Sequence, residues 1–283
     1  MTSCNTIAEL QVQLQTQGLD RLDAQLLLLY VLGKSEHQRG WLLAHDSERV
    51  AAGPLTTLLG LAQRRRAGEP LAYLTGCKSF YGLALQVDAA VLVPRSDTEV
   101  LVDWAVQLLP EVTGEPVLDL GTGSGAVALA IKTHRTGACV WASDLSEAAL
   151  ALAAANARSL GVAVRFCQGS WWSALPVDAP RFACVVSNPP YIAEHDPHLP
   201  ALRFEPASAL ISGPDGLDAI RHIVVHAPDH LLQSGWLLLE HGFDQAVQVR
   251  QLLTQRGFTR VQSRRDLAGL ERCSGGQWTR FST

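Results

Sequence analysis

The residues Ser187-Asn188-Pro189-Pro190-Tyr191 carry the most demanding chemistry in the chain. Asn188 offers a side-chain carbonyl, and neither proline has a backbone N–H, so the stretch is rich in acceptors and short of donors. Each proline also holds the residue before it extended, which keeps the turn from collapsing. Two rigid acceptors, from Asn188 and Pro189, beside the ring of Tyr191 suit a planar group with an NH2. Each acceptor takes one hydrogen, and the ring covers the flat face. An amide or exocyclic amine nitrogen fits that description. Its lone pair is delocalised, so it attacks poorly unless acceptors localise the pair and aim it at an electrophile. The same letters also suit a plain proline turn, and what discriminates lies upstream.

There, Asp119-Leu120-Gly121-Thr122-Gly123-Ser124-Gly125 joins a strand-like run to a helical one. Glycines at such a junction let the backbone approach a ligand where a Cβ would clash. Gly121, Gly123 and Ala126 also satisfy a loose dinucleotide pattern, and Asp144 closes the next strand about twenty residues on, where an acid accepts from ribose hydroxyls. The spacing fits the adenosine of either S-adenosylmethionine or NAD. Two features favour the methyl donor. Gly125 is an extra glycine, and Asp119 stands directly before the loop, where an acid suits a cationic sulfonium and repels a pyrophosphate. The Asn-Pro-Pro-Tyr turn adds an amide grip for which hydride transfer has no use. The loop residues Asp119, Gly121, Thr122, Gly123, Ser124 and Gly125, together with Asp144 and Asn188, are therefore expected around the donor.

These residues need a scaffold that brings two strand ends together. Phe182–Val186 reads as a buried strand ending at the turn, and in open parallel sheets ligands bind beyond the carboxyl ends of the strands. From Pro116 the chain alternates short apolar strands with helical segments. Strands are expected over Val117–Leu120, Ala138–Ser143, Val162–Cys167, Phe182–Val186 and Trp236–Glu240. Helices are expected over Gly125–Ile131, Glu147–Leu160, Leu217–Ala227 and Asp244–Arg256, and a strand pair closes the chain between Thr259 and Phe281. Such alternation specifies an α/β fold with a doubly wound, mainly parallel sheet, here over residues 96–283. Residues 1–75 instead place leucines at helical spacing, broken at Gly18, Gly33, Gly40, Gly53-Pro54 and Gly68, as in a small helical bundle. Residues 76–95 alternate like a β-hairpin linking the two. Ser96-x-x-Glu99 has the spacing of a capping box for the helix that follows, which leaves Arg95 unexplained.

At 283 residues the chain is long enough to bury a sizeable core. Its net charge of -4 argues against affinity drawn mainly from nucleic-acid phosphates. The run Arg64-Arg65-Arg66 reads as a solvated helix face. The six cysteines include no Cys-x-x-Cys pair, a pattern of reduced, buried thiols in a cytosolic protein. Met1–Leu10 lacks the regions of a signal peptide, and the apolar run Leu26–Leu32 is too short for a bilayer, so a cytoplasmic protein with no membrane partner is expected. His222, His226 and His230 repeat every four residues, yet Pro228 should disrupt their helix and no Glu follows His222, so no metal site is expected.

Taken together, these stretches resemble the PrmC (HemK) family, methyltransferases that modify the glutamine of the Gly-Gly-Gln motif in peptide-chain release factors. The resemblance runs over nearly the whole chain. Its pieces are Arg66-Ala67-Gly68-Glu69-Pro70 with Ala72-Tyr73, Val93 to Glu99, Asp119 to Gly125, Asn188 to Tyr191, Arg203-Phe204-Glu205-Pro206 and Leu238-Leu239-Glu240-His241-Gly242. It implies a class I (Rossmann-like) methyltransferase domain preceded by a small helical bundle, which would recognise the release factor, and by a β-hairpin linker. It also implies that Gly121 to Gly125 hold the methionine end of the donor, that Asp144 binds the ribose and that Trp171 stacks on the adenine. Asn188 and the Pro189 carbonyl would grip the glutamine amide, with Pro190 and Tyr191 beside it. Glu205 lies in a loop that could fold over this substrate. Two positions depart from the family's pattern: Ser170 stands where an acid is common, and Ser96 where proline is common.

Asn-Pro-Pro-Tyr is shared with amino-methyltransferases acting on adenine or cytosine, which would flip a base into the same acceptors and need a basic groove. A donor-binding regulator without catalysis would have no need of the turn. The acidic balance counts against the first, and the intact turn against the second; no direct nucleic-acid partner is expected. Gly275-Gly276-Gln277 repeats the family's substrate motif in the chain's own tail and reads as a chance match in a turn.

Overall fold

Leucines at helical spacing become the buried seam of the amino-terminal helices. In the computed structural model, which describes residues 5–111 and 114–279, these are α1 (Ile7–Thr16), α2 (Arg21–Val31), α3 (Arg39–Ala44), α4 (Ala52–Arg66) and α5 (Leu71–Thr75). They belong to the first of two units, Met1–Cys77 and Lys78–Thr283. Leu10, Leu14, Leu27, Leu28 and Leu58 are fully buried in its core. Thr6 and Glu9 form a reciprocal capping box at the start of α1, with N–H to side-chain distances of 2.8 and 3.2 Å. Gly18, Gly33 and Gly68 turn the chain with positive φ as expected. Gly40 and Gly53-Pro54 do not break helices but lie in the first turns of α3 and α4, where a proline's missing N–H has no partner to lose. The arginine run is not a merely solvated face. Arg65 pairs with Asp23 at 2.7 Å, Arg64 with Glu69 at 2.5 Å, and Arg66 donates to Gln17 at 3.3 Å.

The second unit opens with the hairpin β1 (Cys77–Phe80) and β2 (Leu83–Gln86). Both turn residues have positive φ, Tyr81 at 49° and Gly82 at 77°, which matches a two-residue hairpin turn. The expected hairpin is present, and it buries Phe80 and Leu85 in the unit's core. Asn156 clasps it by accepting from Gln86 N–H at 2.7 Å and donating to Gln86 O at 3.0 Å. The expected capping box at Ser96 is not formed. Ser96–Thr98 is a 3-10 turn, so α6 (Glu99–Leu108) begins at Glu99, whose carboxylate instead accepts the Tyr81 N–H at 2.9 Å.

The remainder is β3 (Pro116–Leu120), α7 (Ala126–His134), β4 (Cys139–Asp144), α8 (Glu147–Leu160), β5 (Arg165–Gln168), β6 (Phe182–Ser187), α9 (Asp218–His230), β7 (Leu231–Glu240), α10 (Ala246–Arg256), β8 (Thr259–Arg265) and β9 (Glu271–Gln277). A seven-stranded sheet has the order β5-β4-β3-β6-β7-β9-β8. It is parallel from β5 to β7, while β9 runs antiparallel to both β7 and β8. Alternate strand residues enter opposite cores: Val117, Cys184, Val186 and Leu238 lie in one with α6 and α7, and Leu118, Val185, Leu237 and Leu239 in the other with α9 and α10. This two-sided burial explains why the strands read as unbroken apolar runs. The chain winds outward from β3 through β4 to β5 and then returns to place β6 against β3. That switch point collects the loops after β3 and β6 at one edge.

Several expectations move. The third strand starts at Arg165 rather than Val162, and the closing pair ends at Gln277; Phe281 and Cys4 lie outside the described residues. The described cysteines form no disulfide, and Cys77 and Cys139, each the first residue of its strand, are exposed rather than buried. Pro228 does not disrupt its helix. It stands in the last turn of α9, where it forgoes one helical bond and buries its ring. His222 and His226 stay on the outer face, His230 stacks on Trp172 at 4.5 Å, and no metal-holding group occurs among the described residues. No described helix is long and apolar enough to cross a membrane.

Gly275-Gly276-Gln277 is part of β9 and not a turn. Gln277 pairs with Trp236 and donates to Ser234 O at 2.9 Å, at the end of the sheet opposite Glu240, so its amide is held away from the switch point. A Cβ on Gly275 would stand 2.6 Å from Leu238 Cδ2 and 2.7 Å from Leu237 O. Gly275→Ala is expected to destabilise the protein by about 1–3 kcal/mol, read as a lower denaturant midpoint with an unchanged slope; an unchanged midpoint would show that the strand yields freely.

Candidate functional site

The loop after β3 folds by giving most of its backbone donors a fixed acceptor. Gly121, Gly123 and Gly125 have φ of 74°, 55° and 86°, conformations that side chains resist. The N–H groups of Gly121 and Thr122 both donate to Ser143 O, at 2.8 and 2.9 Å. Gly123 N–H donates to Asp144 Oδ2 and Ser146 N–H to Asp144 Oδ1, each at 2.9 Å. Asp119 Oδ2 takes the Thr122 hydroxyl at 2.7 Å and the Ala128 N–H at 3.1 Å, so it fastens the loop to the first turn of α7. Burial is the main cause that pushes the Asp119 carboxyl up to about 7. The charge foreseen for it beside a sulfonium is thus weakened near neutral pH.

A cavity of about 400 Å³ opens over this loop. Asp119, Gly121, Thr122, Gly123 and Ser124 line its floor, with Asp144, Ser170 and Trp171 on one side and Asn188 and Pro190 on the other. Trp171 has φ of 49° and lays its ring edge 3.5 Å from where a Gly121 Cβ would stand. Trp172, next to it, is buried in the core. Gly125 lies behind the loop, where a Cβ would meet Leu129 Cδ1 at 2.9 Å.

The turn after β6 is anchored by the Ser187 hydroxyl, which donates to Leu120 O at 2.6 Å and so ties the ends of β6 and β3 together. Asn188 Nδ2 donates to Thr98 Oγ1 at 3.2 Å. With its NH2 drawn toward Thr98, the planar amide carries its carbonyl on the opposite side. Pro189 is buried. Tyr191 borders a second depression, and its hydroxyl donates to Glu240 Oε1 at 3.4 Å while its carbonyl accepts from Gln245. Burial first, and then the Glu240 charge, raise the Tyr191 pKa, so its hydroxyl keeps its proton.

Glu205 is not at the cavity surface as a lid would be. It is buried, accepts the Val93 N–H at 3.0 Å and pairs with Arg95, which accounts for the residue that the capping pattern left over. This clamp joins the two chain segments, around Pro94-Arg95 and Pro206, that border the cavity. Thr98 and Glu240 fall within stretches that carry the family resemblance, yet sequence reasoning assigns neither a role. The available signal was an acid closing an apolar strand, shared by Asp144 and Glu240.

Residues 98–204 match the model of the methyltransferase small domain, and residues 6–76 that of the PrmC N-terminal domain. A release factor glutamine methyltransferase of Bordetella pertussis is 49% identical over 92% of this chain and 95% of its own. One from Burkholderia pseudomallei is 48% identical over 96% of each. A methyltransferase structure from Pyrococcus furiosus, 18% identical, superposes with a TM-score of 0.55 over 77% of this chain and 99% of its own, a likeness of fold.

Asp119→Asn should change how stability depends on pH. The folded carboxyl holds its proton to about 7, whereas an ordinary aspartate releases it near 3.8. Between those values the folded state binds more protons, so wild-type stability falls as pH rises. The stability of wild type relative to Asp119→Asn is expected to decline from about pH 4 to pH 7 in denaturant titrations; a difference independent of pH would contradict the buried carboxyl.

Proposed function

The chain belongs to the release factor glutamine methyltransferases, and we propose that it transfers a methyl group to the side-chain amide nitrogen of the glutamine in the Gly-Gly-Gln motif of a release factor. The observation that carries this reading is the Asn188 amide, tied through its NH2 to Thr98 at 3.2 Å so that its carbonyl is the end left for a ligand's NH2.

S-adenosylmethionine is the group we infer for the cavity, and when bound it supplies an electrophilic methyl carbon on a sulfonium. The residues present fit it. A volume of about 400 Å³ lies within the range of small-molecule sites. The glycines keep the floor open, and each oxygen of Asp144 has a lone pair left for ribose hydroxyls beyond the N–H it accepts. Trp171 presents a ring edge at the Gly121 end of the cavity and is assigned to the adenine side. Ser170 borders the same region and supplies a hydroxyl where the family's acid would stand.

Asn188 Oδ1 and the Pro189 carbonyl take the two hydrogens of the substrate amide, Tyr191 packs against it, and Pro190 stiffens the grip. Holding both hydrogens fixes the orientation of the amide plane, so that the nitrogen lone pair, which stands perpendicular to it, faces the methyl carbon, an orientation effect. Once the nitrogen is alkylated it is cationic and sheds a proton to water, so no general base of special pKa is needed. The helical unit is assigned to recognition of the release factor. Because that substrate works in translation, the site of action is the cytoplasm.

Asn188→Ala is expected to lower methyl transfer by on the order of 10²-fold or more, while donor affinity, measured by calorimetry, weakens by less than about tenfold. Incubation with labelled S-adenosylmethionine and either a release factor or duplex DNA tests the substrate. Label on the release factor supports the proposal, and label on DNA alone or equal turnover by Asn188→Ala overturns it.

A further inference from the structure

The geometry points to Glu240 as a positioning residue that, through the Thr98 hydroxyl, sets which end of the Asn188 amide faces the substrate. This deepens the reading above and rests on it. Thr98 is buried, and its hydroxyl oxygen accepts from Asn188 Nδ2 at 3.2 Å. A hydroxyl has one hydrogen, and if that hydrogen pointed at Asn188 it would select the carbonyl instead of the NH2. The observed pairing therefore requires the Thr98 hydrogen to be used elsewhere.

Glu240, at the carboxyl end of β7, is the acceptor that meets this need. It is 1% exposed, and its Oε2 has no hydrogen-bond partner among the described residues, while Oε1 takes the Tyr191 hydroxyl at 3.4 Å. The Thr98 hydroxyl adjoins this carboxylate and favours its ionised form. An ionised carboxylate can only accept, so the direction of every hydrogen in the row follows from it. On this proposal Thr98 turns its hydrogen to the unpartnered Glu240 oxygen while it accepts from Asn188, and the Asn188 carbonyl is left for the substrate NH2. Tyr191 is fixed by the same carboxylate, so one buried charge holds both sides of the amide grip.

A protonated Glu240 reverses the logic. It can donate to Thr98, whose hydrogen is then free to turn toward Asn188 and draw the carbonyl inward, leaving an NH2 facing an NH2. Burial raises the Glu240 carboxyl to about 7, so both forms occur near neutral pH. The groups facing it are Asp97 and Thr98 on the 3-10 turn, Tyr191 after β6, and Arg272 with Cys273 on β9. Asp97 pairs with Arg272 at 3.3 Å, so these opposed charges largely offset each other at Glu240. Neighbouring His241 is buried with its pKa lowered, and the Cys273 thiol is held protonated. Glu240 is thus the group of this cluster that changes charge around pH 7.

Methyl transfer to a release factor should be followed from about pH 5.5 to pH 8.5 for wild type, Glu240→Gln, Thr98→Val and Thr98→Ser, with donor affinity and thermal unfolding measured alongside. The wild-type kcat should fall as pH drops through about 7. Glu240→Gln should lose that limb and lower kcat at pH 8 on the order of 10–100-fold with little change in KM. Thr98→Val should behave likewise and Thr98→Ser should recover activity, which keeps the test open if Glu240→Gln does not fold. A Glu240→Gln variant with the parent's kcat and acid limb, or a Thr98→Ser variant as impaired as Thr98→Val, would overturn the inference. A wild type that never methylates the release factor would instead overturn the functional reading beneath it.

Discussion

The side chain of Asn188 carries an acceptor and two donors on one rigid plane, so it can hold a substrate NH2 only while its own NH2 is engaged elsewhere. The donation to Thr98 at 3.2 Å meets that requirement, and much of the second unit serves to keep the two residues in register. Thr98 stands where a 3-10 turn hands over to α6, whose first residue is locked by the Tyr81 N–H. Asn188 follows a strand tied to its neighbour by the Ser187 hydroxyl. Both are therefore built on packed elements rather than on free loops, the arrangement that preserves sub-ångström geometry.

Acids close or nearly close three strands at the same sheet edge, and the environment gives each a separate task. Asp119 is wholly buried and fastens a loop to a helix with a carboxyl whose pKa lies far above the usual range. Asp144, half-buried, receives a backbone N–H on each oxygen and still faces the cavity. Glu240 is buried with one oxygen unpartnered and takes the Tyr191 hydroxyl, not a backbone N–H, on the other. Desolvation, and not residue type, separates the roles.

The sheet was legible because its strands are buried on both faces and so appear as short apolar runs between glycine-rich turns. The cavity floor was legible because positive φ at Gly121, Gly123 and Gly125 demands glycine. What was not legible depends on partners distant in sequence. Thr6-x-x-Glu9 and Ser96-x-x-Glu99 have the same spacing, yet only the first forms a capping box, since Glu99 is claimed by the hairpin. Glu205 read as part of a loop that could fold over the substrate, because its partners Arg95 and Val93 lie over a hundred residues earlier. Gly275-Gly276-Gln277 mimics a substrate, but close packing against Leu238 and Phe258 is what requires its glycines. Thr98 and Glu240 lie inside matching stretches, but nothing in those stretches shows that the two side chains are neighbours.

The most direct test is a neutron structure of the enzyme with S-adenosylhomocysteine and a Gly-Gly-Gln peptide, since deuterons distinguish the two ends of an amide. The account requires the Asn188 carbonyl oxygen within hydrogen-bond distance of the peptide's amide nitrogen, and the Asn188 deuterons directed at Thr98. Asn188 deuterons directed at the peptide nitrogen, with the carbonyl turned to Thr98, would contradict it.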